Sequence, residues 1–191
     1  MAKAKAIKDL SPQAMTVESV RKIVTTRLQE LYDWADYVGD TYHARELHDM
    51  RIAAKRLRYT LELFADALPP ECGLLVKEVE LIQGELGELH DADVMVALLR
   101  LCLGSSDSGA PYQEALVRAT KLPKKGKVMV DPDLVAHFAD PGVTPSAEER
   151  QGLEWLLSDY EKRRKQHYTA FCQHWQELLA QDFRHKLLYA L

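Results

Sequence analysis

Between Pro12 and Gly39, and again between Gly39 and Pro69, the sequence contains neither glycine nor proline. Stretches free of the two residues that most readily break regular structure become helices when apolar residues recur at three- and four-residue steps. Val17, Val20, Val24, Leu31, Trp34 and Val38 recur in this way. They mark a first helix that Ser11-Pro12 or Thr16 can start and Gly39-Asp40 ends. Met50, Ala54, Leu57, Leu61, Phe64 and Leu68 mark a second, from Tyr42 to Leu68, stopped by Pro69-Pro70. A third spans Glu71 to Leu103 on the stripe Leu75, Val79, Ile82, Leu86, Val94, Ala97 and Leu101. Gly84 and Gly87 either weaken it or permit close packing. Ser146-Ala-Glu-Glu149 is a capping box opening a fourth helix that reaches Ala180 through Leu153, Leu157, Tyr160, Phe171, Trp175 and Leu178. Asp182 to Leu191 reads as a final short helix. The expected fold is all-α, an antiparallel four-helix bundle of long helices forming a single domain over 1–191.

Gly104 to Gly109 is a loop. From Ala110 to Pro145 the pattern is irregular, with a short helix at Pro111–Lys121, a turn at Leu134–Ala139 and a basic stretch between them carrying Lys121, Lys124, Lys125 and Lys127. Apolar residues make up 47% of the chain and charged residues 28%, enough for a substantial core and too apolar for general disorder. The three cysteines, Cys72, Cys102 and Cys172, are widely spaced and read as free buried thiols. The basic N-terminus lacks the apolar run of a signal peptide, and no stretch approaches a membrane span. A cytoplasmic protein is expected.

The formal net charge is −4, so a site for a polyanion must come from local clustering. Such a cluster exists. His48, Arg51, Lys55 and Arg58 follow 3-4-3 spacing, which places them within about 80° of one another on a helix. They flank the apolar stripe, with Arg45 and Arg56 just beyond. Surface helices ordinarily alternate charge to gain pairs one turn apart. Here like charges stack, which costs energy unless an anion neutralises them. Arg27, His90 and Arg164 fall within the apolar stripes of the other long helices, and Arg163, His167 and His174 border the last. A buried charge must snorkel, find a carboxylate or line a wet cavity. Arg27 can snorkel, and His90 can be a core histidine with Asp91 or Asp93 as partner.

The run Leu47-His-Asp-Met-Arg-Ile-Ala-Ala-Lys-Arg-Leu-Arg-Tyr59, followed by Leu-Glu-Leu-Phe64, resembles the signature of the CHAD domain, the conserved histidine α-helical domain. Leu86-Gly-Glu-Leu-His-Asp-Ala-Asp-Val94 is similar to a second element of that family. Arg163-Arg164, Tyr168, Phe171 and Trp175 resemble its closing helix. The resemblance covers Val17 to Leu103 well and does not reach Ala110 to Pro145. It implies a helical fold and non-catalytic binding of inorganic polyphosphate through basic residues lining a channel. Carried over residue by residue, these are His48, Arg51, Lys55, Arg56, Arg58, Arg27, His90, Arg164, Arg45, Arg163 and His167. Many members hold two related four-helix halves. One full half and a reduced second half are expected here, and a homodimer would extend the surface. Association with polyphosphate granules follows from the same resemblance.

Binding of this kind should weaken with salt and tighten as pH falls toward 6, where histidines charge. Other readings remain open. His48, with Arg51 beside it, can be the phosphoacceptor of a phosphotransfer module. A metal site is disfavoured by the absence of HExxH or paired Glu-x-x-His motifs and by the surrounding arginines. Nucleic acid is not expected, because no reading motif accompanies the phosphate-type contacts. No carboxylate cluster for magnesium and no phosphate-cradling glycine loop suggests an enzyme or a cofactor.

Overall fold

The computed structural model describes residues 3–7, 10, 16–41, 43–103 and 145–191. The described residues are all helical where regular: α1 Thr16–Tyr32, α2 Ala44–Leu63, α3 Cys72–Cys102, α4 Ala147–Ala180 and α5 Phe183–Ala190. Short 3-10 turns follow α1 at Ala35–Tyr37 and α2 at Ala65–Ala67. The helix, turn and basic loop expected between 110 and 145 lie outside the described residues, as do Ser11, Pro12 and Tyr42.

The punctuation acts where the chemistry predicts. Leu68 is extended, at φ −102° and ψ 149°, because the ring of Pro69 crowds a helical predecessor. Ser146 and Glu149 close the capping box reciprocally, Ser146 N–H donating to Glu149 Oε2 at 2.8 Å and Glu149 N–H to Ser146 Oγ at 3.3 Å. The backbone bond holds the Glu149 carboxyl below its usual range. Two ends differ from the expectation. α1 stops at Tyr32 and α2 at Leu63, each followed by a 3-10 turn where a continuous helix was expected. Val38 is buried all the same, and its carbonyl accepts from Tyr168 Oη at 2.8 Å. A tertiary bond from α4 therefore stands in for the helical continuation.

By contacts the chain divides into two compact units, Met1–His90 with Gln166–Leu191, and Asp91–Lys165. The first unit holds a core to which all four long helices and α5 contribute. Val20, Val24, Leu28 and Leu31 of α1 meet Leu47, Met50, Leu57 and Leu61 of α2, Ile82 and Leu86 of α3, Phe171 and Trp175 of α4, and Leu187 of α5. Most of these are fully inaccessible, each contributing roughly 1.5–3 kcal/mol of hydrophobic stabilisation against conformational entropy. His174 links α4 to α3 in this unit, its Nδ1 2.9 Å from Glu85 and its Nε2 3.1 Å from Glu78. Burial alone would lower its pKa, but the two carboxylates outweigh it and raise the value.

In the second unit the partners of α3 fall along α4 in reverse order, Asp93 with Arg164 and Arg100 with Glu161, so the two helices run antiparallel there. Of the cysteines, Cys72 is buried and Cys102 and Cys172 are half-buried; all are free, and burial pushes each thiol up. No described helix is long and apolar enough to cross a membrane.

Candidate functional site

The basic row of α2 lies in the first unit and faces α3. Its contacts follow a strict antiparallel register. Arg58 Nη1 is 3.5 Å from Glu80, Arg51 Nε lies beside Gly87, and the His48 ring sits 4.2 Å from that of His90. As the α2 number falls through 58, 51 and 48, the α3 number rises in equal steps through 80, 87 and 90. The same register sets Lys55 opposite Gln83. The result is a seam with cations along the α2 side and Glu80, Gly87 and His90 facing them from α3, and it is this seam that forms the candidate groove. At 1.5 Å of rise per residue, His48 to Arg58 covers about 15 Å.

Polar atoms are buried along it. His48 Nδ1, Arg51 Nε and Gln83 Oε1 are buried without a hydrogen-bond partner among the described residues. Such orphans are costly, roughly 1–3 kcal/mol each and more for a charged group. Gly87 makes room for Arg51. A Cβ built there would stand 3.5 Å from Arg51 Nε, ordinary contact, while anything longer would fill the space. Burial lowers the pKa of His48, with Asp49 opposing and Arg51 assisting. Burial lowers His90 further, to about 4, with His48 and Arg51 adding repulsion. Both rings are therefore neutral at pH 7 in the free protein, and both would charge more readily beside an anion.

The Arg58 end is partly latched. Arg58 Nε is 3.3 Å from Glu62, without hydrogen-bond alignment, and its Nη1 faces Glu80. Tyr59 lies under both cations, 4.9 Å from the Arg58 guanidinium carbon and 5.5 Å from Lys55 Nζ. Cation–π contacts of this kind fix long side chains without neutralising them. Lys55 is exposed, and no acidic side chain pairs with it among the described residues.

The other expected residues have partners or positions of their own. Arg45 and Arg56 point away from the α3 side and line a cavity against the end of α1. Arg27 donates to buried Glu30 at 2.6 Å, and Arg56 Nη1 is 4.0 Å from the same carboxylate. Arg27 is thus a paired cation, not a snorkelling one. Arg164 and Arg163 belong to the second unit, where Arg164 is hydrogen-bonded to buried Asp93 and Arg163 is 2.7 Å from Asp159. Burial raises the Asp93 pKa against the pull of Arg164. Asp93, one of the two acids eligible for His90 by sequence, thus serves Arg164. His167 is half-buried on α4. Sequence reasoning missed Tyr59, Glu62, Glu80 and Gln83; the first two were legible as neighbours one turn from the basic row, the last two only once the register with α3 is known.

A helical protein with a cationic groove between antiparallel helices is the class these features define. The sequence profile of the CHAD domain matches residues 2–100, and the chain belongs to the CHAD domain family. No curated protein matches the chain, and no solved structure does.

Proposed function

We propose that the α2–α3 groove binds inorganic polyphosphate and does no chemistry on it. The observation that carries this reading is the file of His48, Arg51, Lys55 and Arg58 on one wall, in which Arg51 Nε and His48 Nδ1 are buried without partners. Those orphaned atoms match a ligand that presents an unshielded oxygen at each step. Arginine gives a phosphate a planar fork and lysine a mobile point charge. Membership in the CHAD family is consistent with a polyphosphate-related role. His90 completes the site from the opposite wall. Recruitment to polyphosphate granules in the cytoplasm is the use we assign to such binding.

His48 as a phosphoacceptor is the weaker reading. Its ring lies against that of His90, 4.2 Å away, and the basic row extends well beyond the one or two cations that a phosphotransfer site needs. The test is titration calorimetry with long-chain polyphosphate on the wild type and on a variant with Arg51, Lys55 and Arg58 changed to alanine. Tight wild-type binding lost in a variant of unchanged helical circular dichroism supports the assignment. A well-folded wild type that does not bind overturns it.

A further inference from the structure

A cavity of about 320 Å³ lies in the first unit, on the face of α2 opposite the groove. It is bounded by the end of α1, by α2 and by residues 3–5, which lie across the end of α1. Lys5 N–H donates to Glu30 Oε1, Lys5 Nζ pairs with Asp33, and Arg27 Nη1 donates to the Lys5 carbonyl at 3.3 Å.

The floor is a carboxylate with one oxygen left over. Glu30 is only 4% exposed. Its Oε1 is satisfied by Arg27 and by Lys5 N–H, whereas its Oε2 is buried with no hydrogen-bond donor. Arg56 Nη1 stands 4.0 Å from Oε2, close enough to balance charge and too far to donate. Glu30 therefore lacks a hydrogen bond rather than a counter-charge. A neutral O–H supplies that, and a second ammonium would face Arg27 and Arg56. Trp34 forms part of the wall, a surface for the C–H face of a small carbon skeleton. Lys3, Arg45 and Arg56 line the same space. Against Glu30 and Asp49 they leave an excess of positive charge, since Lys5 and Asp33 offset each other.

We infer that this cavity binds a small sugar or polyol monophosphate, with a hydroxyl donating to Glu30 Oε2 and the phosphate held by Lys3 and Arg45. The orphaned oxygen sets the hydroxyl end and the cationic rim sets the anionic end. The site is separate from the polyphosphate groove and does not depend on it.

Glucose 6-phosphate serves as the probe, with glucose and inorganic phosphate as its two halves, in ligand-observed NMR and calorimetry on the full chain. The expected result is binding of glucose 6-phosphate at least about tenfold tighter than either half. Arg45→Ala, a change at an exposed position, should weaken glucose 6-phosphate and phosphate together. Glu30→Gln should bring glucose 6-phosphate down to the affinity of phosphate alone. Absence of binding at roughly 10 mM, equal binding by phosphate alone, or an undiminished affinity in Arg45→Ala each overturns the inference. The Arg45 variant keeps the test decisive if Glu30→Gln fails to fold.

Discussion

Replacing His90 with glutamine should make the fold more tolerant of acid. His90 is held near pKa 4 against an ordinary 6.5 by burial, by His48 and by Arg51. Its folded form therefore binds fewer protons than its unfolded form between those values. Stability present above pH 6.5 is lost as pH falls through the window to about 4. A shift of this size corresponds to about 3 kcal/mol by linkage, and screening of the partly exposed ring reduces it to roughly 1.5 kcal/mol. For a chain of this length that is a fall of roughly 3–6 °C in Tm. Urea denaturation of wild type and His90→Gln, at pH 7 and at the acid end of the window, isolates the contribution, because every other titrating group is common to both. The wild type should lose the larger share on acidification. Saturating polyphosphate, which favours the charged ring, should shrink the wild-type loss by more than the variant's, which keeps only His48. Identical acid sensitivity in the two proteins would refute the claim that the fold keeps this ring neutral.

Three further outcomes follow from the same geometry. Glu80→Gln removes an internal competitor for Arg58 whose carboxylate is 60% exposed; calorimetry should show polyphosphate binding about two- to threefold tighter, in keeping with an exposed pair worth under 1 kcal/mol, and an unchanged affinity would place Arg58 outside the contact. Gly87→Ala should raise Tm, since alanine gains up to about 1 kcal/mol in a helix and its Cβ fits, whereas Gly87→Leu should displace Arg51 and cost polyphosphate affinity; scanning calorimetry with binding titration separates the two. His174 has a raised pKa, so its link to Glu78 and Glu85 is fully present below pH 6.5 and is lost as pH rises through the higher folded value; the alkaline decline of Tm should be flatter in His174→Gln.

Much of the fold can be read from local chemistry. Pro69, the Ser146 capping box and the three-and-four apolar steps each act within one turn of the residues that carry them, so they place the helices to within a few residues. What fails is what depends on a distant partner. Val38 continues the apolar stripe of α1, yet the helix has already ended, and a hydroxyl from Tyr168 on α4 receives its carbonyl. The site divides in the same way. The row from His48 to Arg58 is visible on one helical wheel. Arg56 stands by buried Glu30 of α1 and Arg45 lines the same cavity, and nothing in a single wheel ranks its two flanks. That Arg164 takes Asp93, rather than leaving it to His90, rests on a pairing across seventy-one residues, for which several acids were equally eligible by sequence.

The net charge of −4 bears on which polyanion suits the groove. At physiological ionic strength fields fade over about 8 Å, so the negative surface as a whole repels weakly and the basic row acts only on what touches it. A ligand held in that way must make its contacts at close range and in file. Nucleic acid presents one charge per nucleotide, flanked by sugars that hold the phosphate away from an inaccessible atom such as Arg51 Nε. Polyphosphate has no flanking groups, and every unit carries a bare oxygen that can approach side chains such as Arg51 once they turn toward it. The partnerless atoms along the row thus favour the slimmer chain, and they do so through access and hydrogen bonding, a selectivity that added salt weakens less than it weakens attraction by the exposed Lys55.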